Sequence, residues 1–251
     1  MKKITRNQII TILATLLTIV VNGLANGLPL NGKGTGEISD RFDIFFVPAG
    51  YVFSIWLLIY LGLAAFTIYQ ALPAQRESEL LKKIYPAYWI GSLANSVWIF
   101  LWHYEFFPLT LIAMLTLLAS LLYIYRQFPT TGLDQNQKWF VKLTFSIYLG
   151  WIKVATIANV TTLLAYWNWS GWGISPEAWA VIMLAIATAV GGLVSFTRGD
   201  IAYAAVLIWA FAGIGVKQSS SPIVSTAAWA AAITTAILLI VAVFRRRSKG
   251  G

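Results

Sequence analysis

The feature that most restricts this chain is a succession of apolar runs, each long enough to cross a bilayer and parted only by short polar punctuation. About 20 apolar residues in helical form match a hydrocarbon layer ~30 Å thick. Eight such runs can be read, at residues 9–28, 48–71, 86–102, 108–125, 139–166, 176–196, 201–216 and 222–244. The expectation is an all-α integral membrane protein, an eight-helix transmembrane bundle. Composition agrees, because 59% of the 251 residues are hydrophobic and 11% charged, against about 45–50% and 25% in soluble domains. The longest stretch without a spanning pattern is 30–46, which leaves no room for an appended catalytic or DNA-binding domain. With no cysteine there is no disulfide, thiolate metal site or cysteine nucleophile.

Lys2, Lys3 and Arg6 before an apolar run resemble the start of a signal peptide. That run continues through Asn22-Gly23-Leu24-Ala25-Asn26-Gly27-Leu28, long enough to span, so an uncleaved anchor is expected. Ser175-Pro176-Glu177 and Ser221-Pro222 are helix starts, with serine placed to cap and proline at the first helical position. Arg198-Gly199-Asp200 reads as a tight turn between two spans.

Lysine and arginine test the topology, because cytoplasmic loops carry the excess. With the N-terminus inside, 14 fall on the cytoplasmic side and only Lys33, Arg41 and Lys217 outside. An odd number of spans would put Arg245-Arg246-Arg247 outside. Eight spans with both ends cytoplasmic is the consistent solution, and a bacterial inner membrane the expected location. The net charge of +9 is thereby explained by orientation and by attraction to anionic lipid. The lipid bilayer is the expected partner, and nucleic acid is not.

The 37 aromatic residues include 12 tryptophans. Trp167, Trp169, Trp172, Trp179 and Trp139 suit interfacial belts, where an amphipathic ring sits at headgroup level. Trp56, Trp98 and Trp151 fall well inside spans, where the alternatives are bundle packing and a pocket for a planar ligand. Asn22, Asn26, Asn95 and Asn159 also lie inside spans, where an amide either bonds between helices or lines a pocket. On the fifth span Tyr148, Trp151, Ala155 and Asn159 fall within about 80° of one another, and Lys153 points some 140° from Tyr148. For this lysine three readings stand: snorkelling, bonding to backbone carbonyls of another helix, or a covalent chromophore. His103, the one histidine, is expected to be a solvated interfacial residue, with haem ligation as the alternative. No paired carboxylates, no nucleophile beside a histidine and no phosphate-cradling loop are present; Gly32, Gly34 and Gly36 form an external linker.

Three spans together resemble the TspO/MBR or translocator-protein family, also called tryptophan-rich sensory proteins. The second carries Val47-Pro48-Ala49-Gly50-Tyr51-Val52-Phe53-Ser54-Ile55-Trp56 with Tyr60 four residues on; the third carries Leu93-Ala94-Asn95-Ser96-Val97-Trp98; the fifth carries Tyr148-Leu149-Gly150-Trp151, then Ala155 and Asn159. Departures are a shortened segment between Phe53 and Trp56, Gly91 at a common glutamine position, and Lys153 at a small or polar one. The resemblance covers about residues 8–166. It implies a five-helix core at 1–166, followed at 167–251 by three additional helices and a basic tail: a long variant of the family.

What the resemblance further implies is an aromatic intramembrane pocket that binds a porphyrin or related tetrapyrrole, for sensing or transport, often in a homodimer. By matching position the ligand-binding residues would be Trp56, Asn95, Trp98, Trp151, Ala155 and Asn159. No obligatory cofactor, metal or catalytic residue is expected. Two other classes stay open: a passive permease or secondary transporter for a small hydrophobic solute, and a porphyrin-modifying enzyme. Against proton coupling, no Asp or Glu lies deep in any span.

Overall fold

In a computed structural model the described residues are 4–28 and 30–249. Lys2 and Lys3, and the side chains of Asn26, Arg246, Arg247 and Lys249, lie outside them. The α-helices are α1 (Arg6–Gly27), α2 (Thr35–Asp40), α3 (Ile55–Ala71), α4 (Glu79–His103), α5 (Phe107–Arg126), α6 (Leu143–Tyr166), α7 (Pro176–Arg198), α8 (Ile201–Lys217) and α9 (Pro222–Lys249). A 3-10 turn at Gly50–Ser54 leads into α3, and a π-helical turn at Gln137–Lys142 leads into α6. The chain divides into two compact units: Met1–Arg41 with Trp56–Ile152, and Phe42–Ile55 with Lys153–Gly251.

Among the described residues six helices are long and apolar enough to cross a membrane: Arg6–Ala25, Gly50–Ala71, Phe107–Arg126, Gln137–Tyr166, Pro176–Arg198 and Pro222–Arg245. The expected eight become six by that criterion for two physical reasons. Helix α4 is long, but Lys82, Lys83, Ser92, Asn95 and Ser96 dilute its apolar character. Helix α8 is apolar but has only 17 residues, at the short limit for a span.

In the first unit α4 packs against α1 and α5. Thr5 starts α1 with a capping box, its hydroxyl accepting from Gln8 N at 3.3 Å while Gln8 Oε1 accepts from Thr5 N at 2.9 Å. Gln8, Thr11, Thr15, Thr18 and Asn22 are all buried. Spaced alternately three and four, they form one face of α1. Leu13, Leu16, Val20 and Leu24 are exposed. This is the amphipathicity a span needs, with polar groups inward because hydrocarbon offers them no partner. Thr15 Oγ1 lies 2.6 Å from both Thr67 Oγ1 and Tyr88 Oη, and Trp89 Nε1 donates to Thr11 Oγ1 at 2.9 Å. Gln8 Nε2 donates to Gln70 O at 2.7 Å, and Gln70 Nε2 returns a bond to Gln8 O. Beside this seam Phe66, Tyr88 and Phe145 meet ring to ring at 5.1–5.8 Å, joining α3, α4 and α6.

Helix α4 begins earlier than the expected 86. Ser78 caps it, and Pro86 lies within the helix, exposed. The proline is therefore an interior residue, one that removes a backbone bond on the outer side, and not a first-turn residue. The stretch 30–46 is more than a linker: α2 sits in it and buries Ile38 completely.

In the second unit α9 packs against α7 and α8. Ser175 Oγ caps α7 by accepting from Ala178 N at 3.2 Å, Gly199 ends it in the left-handed region, and Asp200 Oδ1 caps α8 by accepting from Tyr203 N at 3.1 Å. The expected turn at 198–200 is thus a stop and a start in three residues. The strap 42–55 lies against α8: Gly213 O accepts from Ala49 N at 3.0 Å, Val52 O from Trp209 Nε1 at 3.3 Å, and Ile44 and Phe45 O from Gln218 Nε2 at 3.3 and 3.1 Å. A side chain at Gly213 would collide with Val52 Cγ2, so glycine is what allows the backbones to approach.

Candidate ligand site

Two helices each present a pair of rings at helical spacing: Trp56 and Tyr60 on α3, Tyr148 and Trp151 on α6. Trp56 stacks on Tyr60 with centroids 5.6 Å apart and planes 20° from parallel. Tyr148 and Trp151 meet it edge-on, at 6.1 Å and 70° and at 6.2 Å and 83°. These are the offset and T-shaped arrangements the ring quadrupole favours. Tyr148 and Trp151 are buried, whereas Trp56 is half-buried. Trp98 stacks on Trp102 at 5.1 Å, and Trp102 meets Phe107 edge-on at 5.4 Å.

Asn95 is buried, and its Oδ1 accepts from Asn22 Nδ2 at 2.6 Å; the same nitrogen donates to Thr18 O at 2.8 Å. Ala155 and Asn159 follow Trp151 at four and eight residues along α6, the first partly exposed and the second buried.

The C-terminal end of α4 is covered by residues 31–41. Asn31 Nδ2 donates to His103 O at 3.1 Å, and Trp102 Nε1 donates to Thr35 O at 3.1 Å. Glu105 accepts from Lys33 Nζ at 2.6 Å and from Arg41. Arg41 first, and Lys33 after it, hold the Glu105 carboxyl below the usual carboxylate range.

A family model described as TSPO-like protein matches residues 8–243. The chain belongs to the TSPO-like protein family. Neither the curated proteins nor the solved structures give a match. The chain is accordingly a TSPO-like, multi-pass membrane protein with buried aromatic clusters. The family match runs past residue 166 and takes in α7 and α8 and most of α9.

In this TSPO-like chain His103 is not solvated. It is completely buried, with Nδ1 2.8 Å from Ile99 O and Nε2 3.3 Å from Thr35 Oγ1. A carbonyl only accepts, so Nδ1 carries the proton and Nε2 receives the threonine hydroxyl. The covering segment 31–41, far away in sequence, is what buries it. Lys153 is partnered differently from any of the three sequence alternatives. Its Nζ sits 4.9 Å from the centroid of the Tyr203 ring on α8, within reach of a cation–π attraction.

Sequence reasoning missed a cavity of about 190 Å³ in the second unit, lined by Asp43, Phe45, Phe46, Thr161, Trp169 and Trp179 among others. Trp169 and Trp179 line it and cluster with the exposed Trp172, centroids 5.3–6.2 Å apart. The loop that carries Trp169 and Trp172 holds Asn168 at φ 51° and Trp172 at φ 54°. Non-glycine residues in that region cost about 1–3 kcal/mol each unless their surroundings impose it. The crowding of tryptophan at 167–179 was the available signal, and belt placement absorbed it.

Proposed function

We propose that this TSPO-like protein is a membrane receptor or carrier for a flat hydrophobic ligand, a porphyrin or related tetrapyrrole. The observation that carries the reading is the meeting of Trp56, Tyr60, Tyr148 and Trp151 rings from α3 and α6 at 5.6–6.2 Å. Stacking area is what a planar macrocycle needs, and a few polar groups then orient it. The ligand-binding residues in this reading are Trp56 and Trp151, with Asn95, Trp98, Ala155 and Asn159 carried by motif position. Residues 1–166 form the core of the function, and a homodimer is its assembly.

The same reading has α4 and α8 crossing the bilayer, for eight spans with both ends cytoplasmic. Its support is packing: α4 buries side chains from Leu81 to His103 and lies against α1 and α5, while α8 lies against α7 and α9.

Protoporphyrin titrated into the detergent-solubilised protein tests the ligand, with quenching of tryptophan fluorescence as the readout. Trp56→Leu and Trp151→Leu are expected to weaken binding at least tenfold, about 1.4 kcal/mol each, while the proteins stay monodisperse. Absence of saturable binding by the unmodified protein overturns the assignment.

A further inference from the structure

The cavity of the second unit shares no residue with the tetrapyrrole reading, and at about 190 Å³ it falls below the ~300–1,000 Å³ of drug-sized pockets. A macrocycle does not fit it. Its walls are aromatic, with Phe45 and Phe46 from the strap and Trp169 and Trp179 from the tryptophan loop and the start of α7. The two indoles meet at 49° and form an angled wall.

Two of the side-chain donors on these walls are committed. Trp179 Nε1 donates to Gly171 O at 2.9 Å, and the Thr161 hydroxyl donates to Ala158 O at 2.8 Å. What Trp179 offers an occupant is therefore ring surface, and what Thr161 offers is a lone pair. Asp43 adds a carboxylate that has no hydrogen-bond or ion-pair partner among the described residues, and no lysine, arginine or histidine lines the cavity. A site with several π-faces, one carboxylate and no cationic side chain selects against anions and favours cations. The wall is also held in place before any ligand arrives: Gln218 Nε2 fastens the Ile44 and Phe45 carbonyls, and the Trp179 ring sits 3.3 Å from where a Gly171 side chain would begin. Such preorganisation lowers the cost of binding.

We propose that this cavity binds a small organic ammonium ion, quaternary or primary, carried on an apolar body. Two sources share that chemistry, a free amine and the choline headgroup of a lipid.

The test uses the full chain in maltoside detergent without choline lipid, titrated with benzyltrimethylammonium and followed by tryptophan fluorescence. Saturable binding is expected, weakened at least tenfold by Asp43→Asn and by Trp179→Leu and unchanged by Trp56→Leu. Neopentylbenzene, of similar shape and uncharged, is expected not to bind. Equal binding of the neutral compound, an unaffected Asp43→Asn protein, or no saturable binding overturns the proposal. If Trp179→Leu does not fold, the exposed Asp43 position decides alone. In nanodiscs of phosphatidylglycerol, addition of phosphatidylcholine separates the sources: a tenfold weaker apparent affinity marks the lipid headgroup as occupant, and an unchanged one marks the free amine. Trp56→Leu also keeps the two proposals apart, because a failure of porphyrin binding leaves this result untouched.

Discussion

Asn22 Nδ2 donates to Asn95 Oδ1 at 2.6 Å, tying α1 to α4 across 73 residues of chain. An amide inside a span bonds to another helix or is lost to hydrocarbon, and here each asparagine is the other's partner. A double-mutant cycle with Asn22→Ala and Asn95→Ala, read by thermal unfolding in detergent, is expected to give a coupling of about 0.6–1.7 kcal/mol. A coupling of zero would return Asn95 to a pocket role only.

The Lys153 ammonium over the Tyr203 ring balances two effects of similar size. A desolvated cation–π contact is worth about 2 kcal/mol, and a lysine at a helix centre costs about 2.5–3.5 kcal/mol on insertion scales. Lys153→Leu should therefore fold with stability within ~1 kcal/mol of the unmodified protein and keep porphyrin binding within about twofold. Tyr203→Leu, which strands the ammonium and opens a hole, should cost at least ~2 kcal/mol. Loss of porphyrin binding in the lysine variant alone would put the ammonium at the ligand.

Glu105 titrates the cover over α4. Its folded-state pKa is lowered by Arg41 and Lys33, so its contribution is full above the unfolded value of ~4.3 and is lost as pH falls through the lowered value. Hydrogen exchange at 31–41 should accelerate over that acidic window. Glu105→Gln should already exchange fast at neutral pH, with a flatter pH profile. Identical profiles for the two proteins would mean that the ion pairs do not hold the segment.

Reporter fusions within 127–136 distinguish eight spans from six. If α4 crosses, that loop is cytoplasmic and agrees with the C-terminus; if only the six apolar helices cross, it is external and carries Lys138 and Lys142 with it on the wrong side. The expected result is a cytoplasmic signal at both places.

Val52 is fully buried against Gly213. Gly213→Ala is expected to destabilise by about 1–3 kcal/mol through overpacking, with Val52→Ala in the same protein restoring part of the loss. Thermal unfolding of the single and double variants measures both.

Helix positions were legible where apolar length and serine or proline starts coincide, as at Ser175-Pro176, where α7 begins. Pro86 misled because proline is favoured at a first turn, whereas here it sits on an exposed face inside the helix, and only Ser78 and Glu79 mark the true start. The pairing of Trp56 with Trp151 was suggested by motif resemblance; their spacing along the chain says nothing of it. The polar face of α1 was present at three-and-four spacing, but its meaning depends on which side faces lipid. His103 and the 190 Å³ cavity escaped for one reason. Each is made by a loop returning from far along the chain, and no local pattern encodes that return.

The strap 42–55 carries a consequence for synthesis. Its carbonyls at Val52, Ile44 and Phe45 are satisfied by Trp209 and Gln218, which lie 157 to 174 residues further on. At ~5–20 residues per second the ribosome needs roughly 8–35 s to deliver them. For that interval the nascent strap must be sheltered by the insertion machinery or by water at the membrane surface. A chain cut after residue 166 would wait indefinitely, so the last three helices cannot be treated as a detachable cassette.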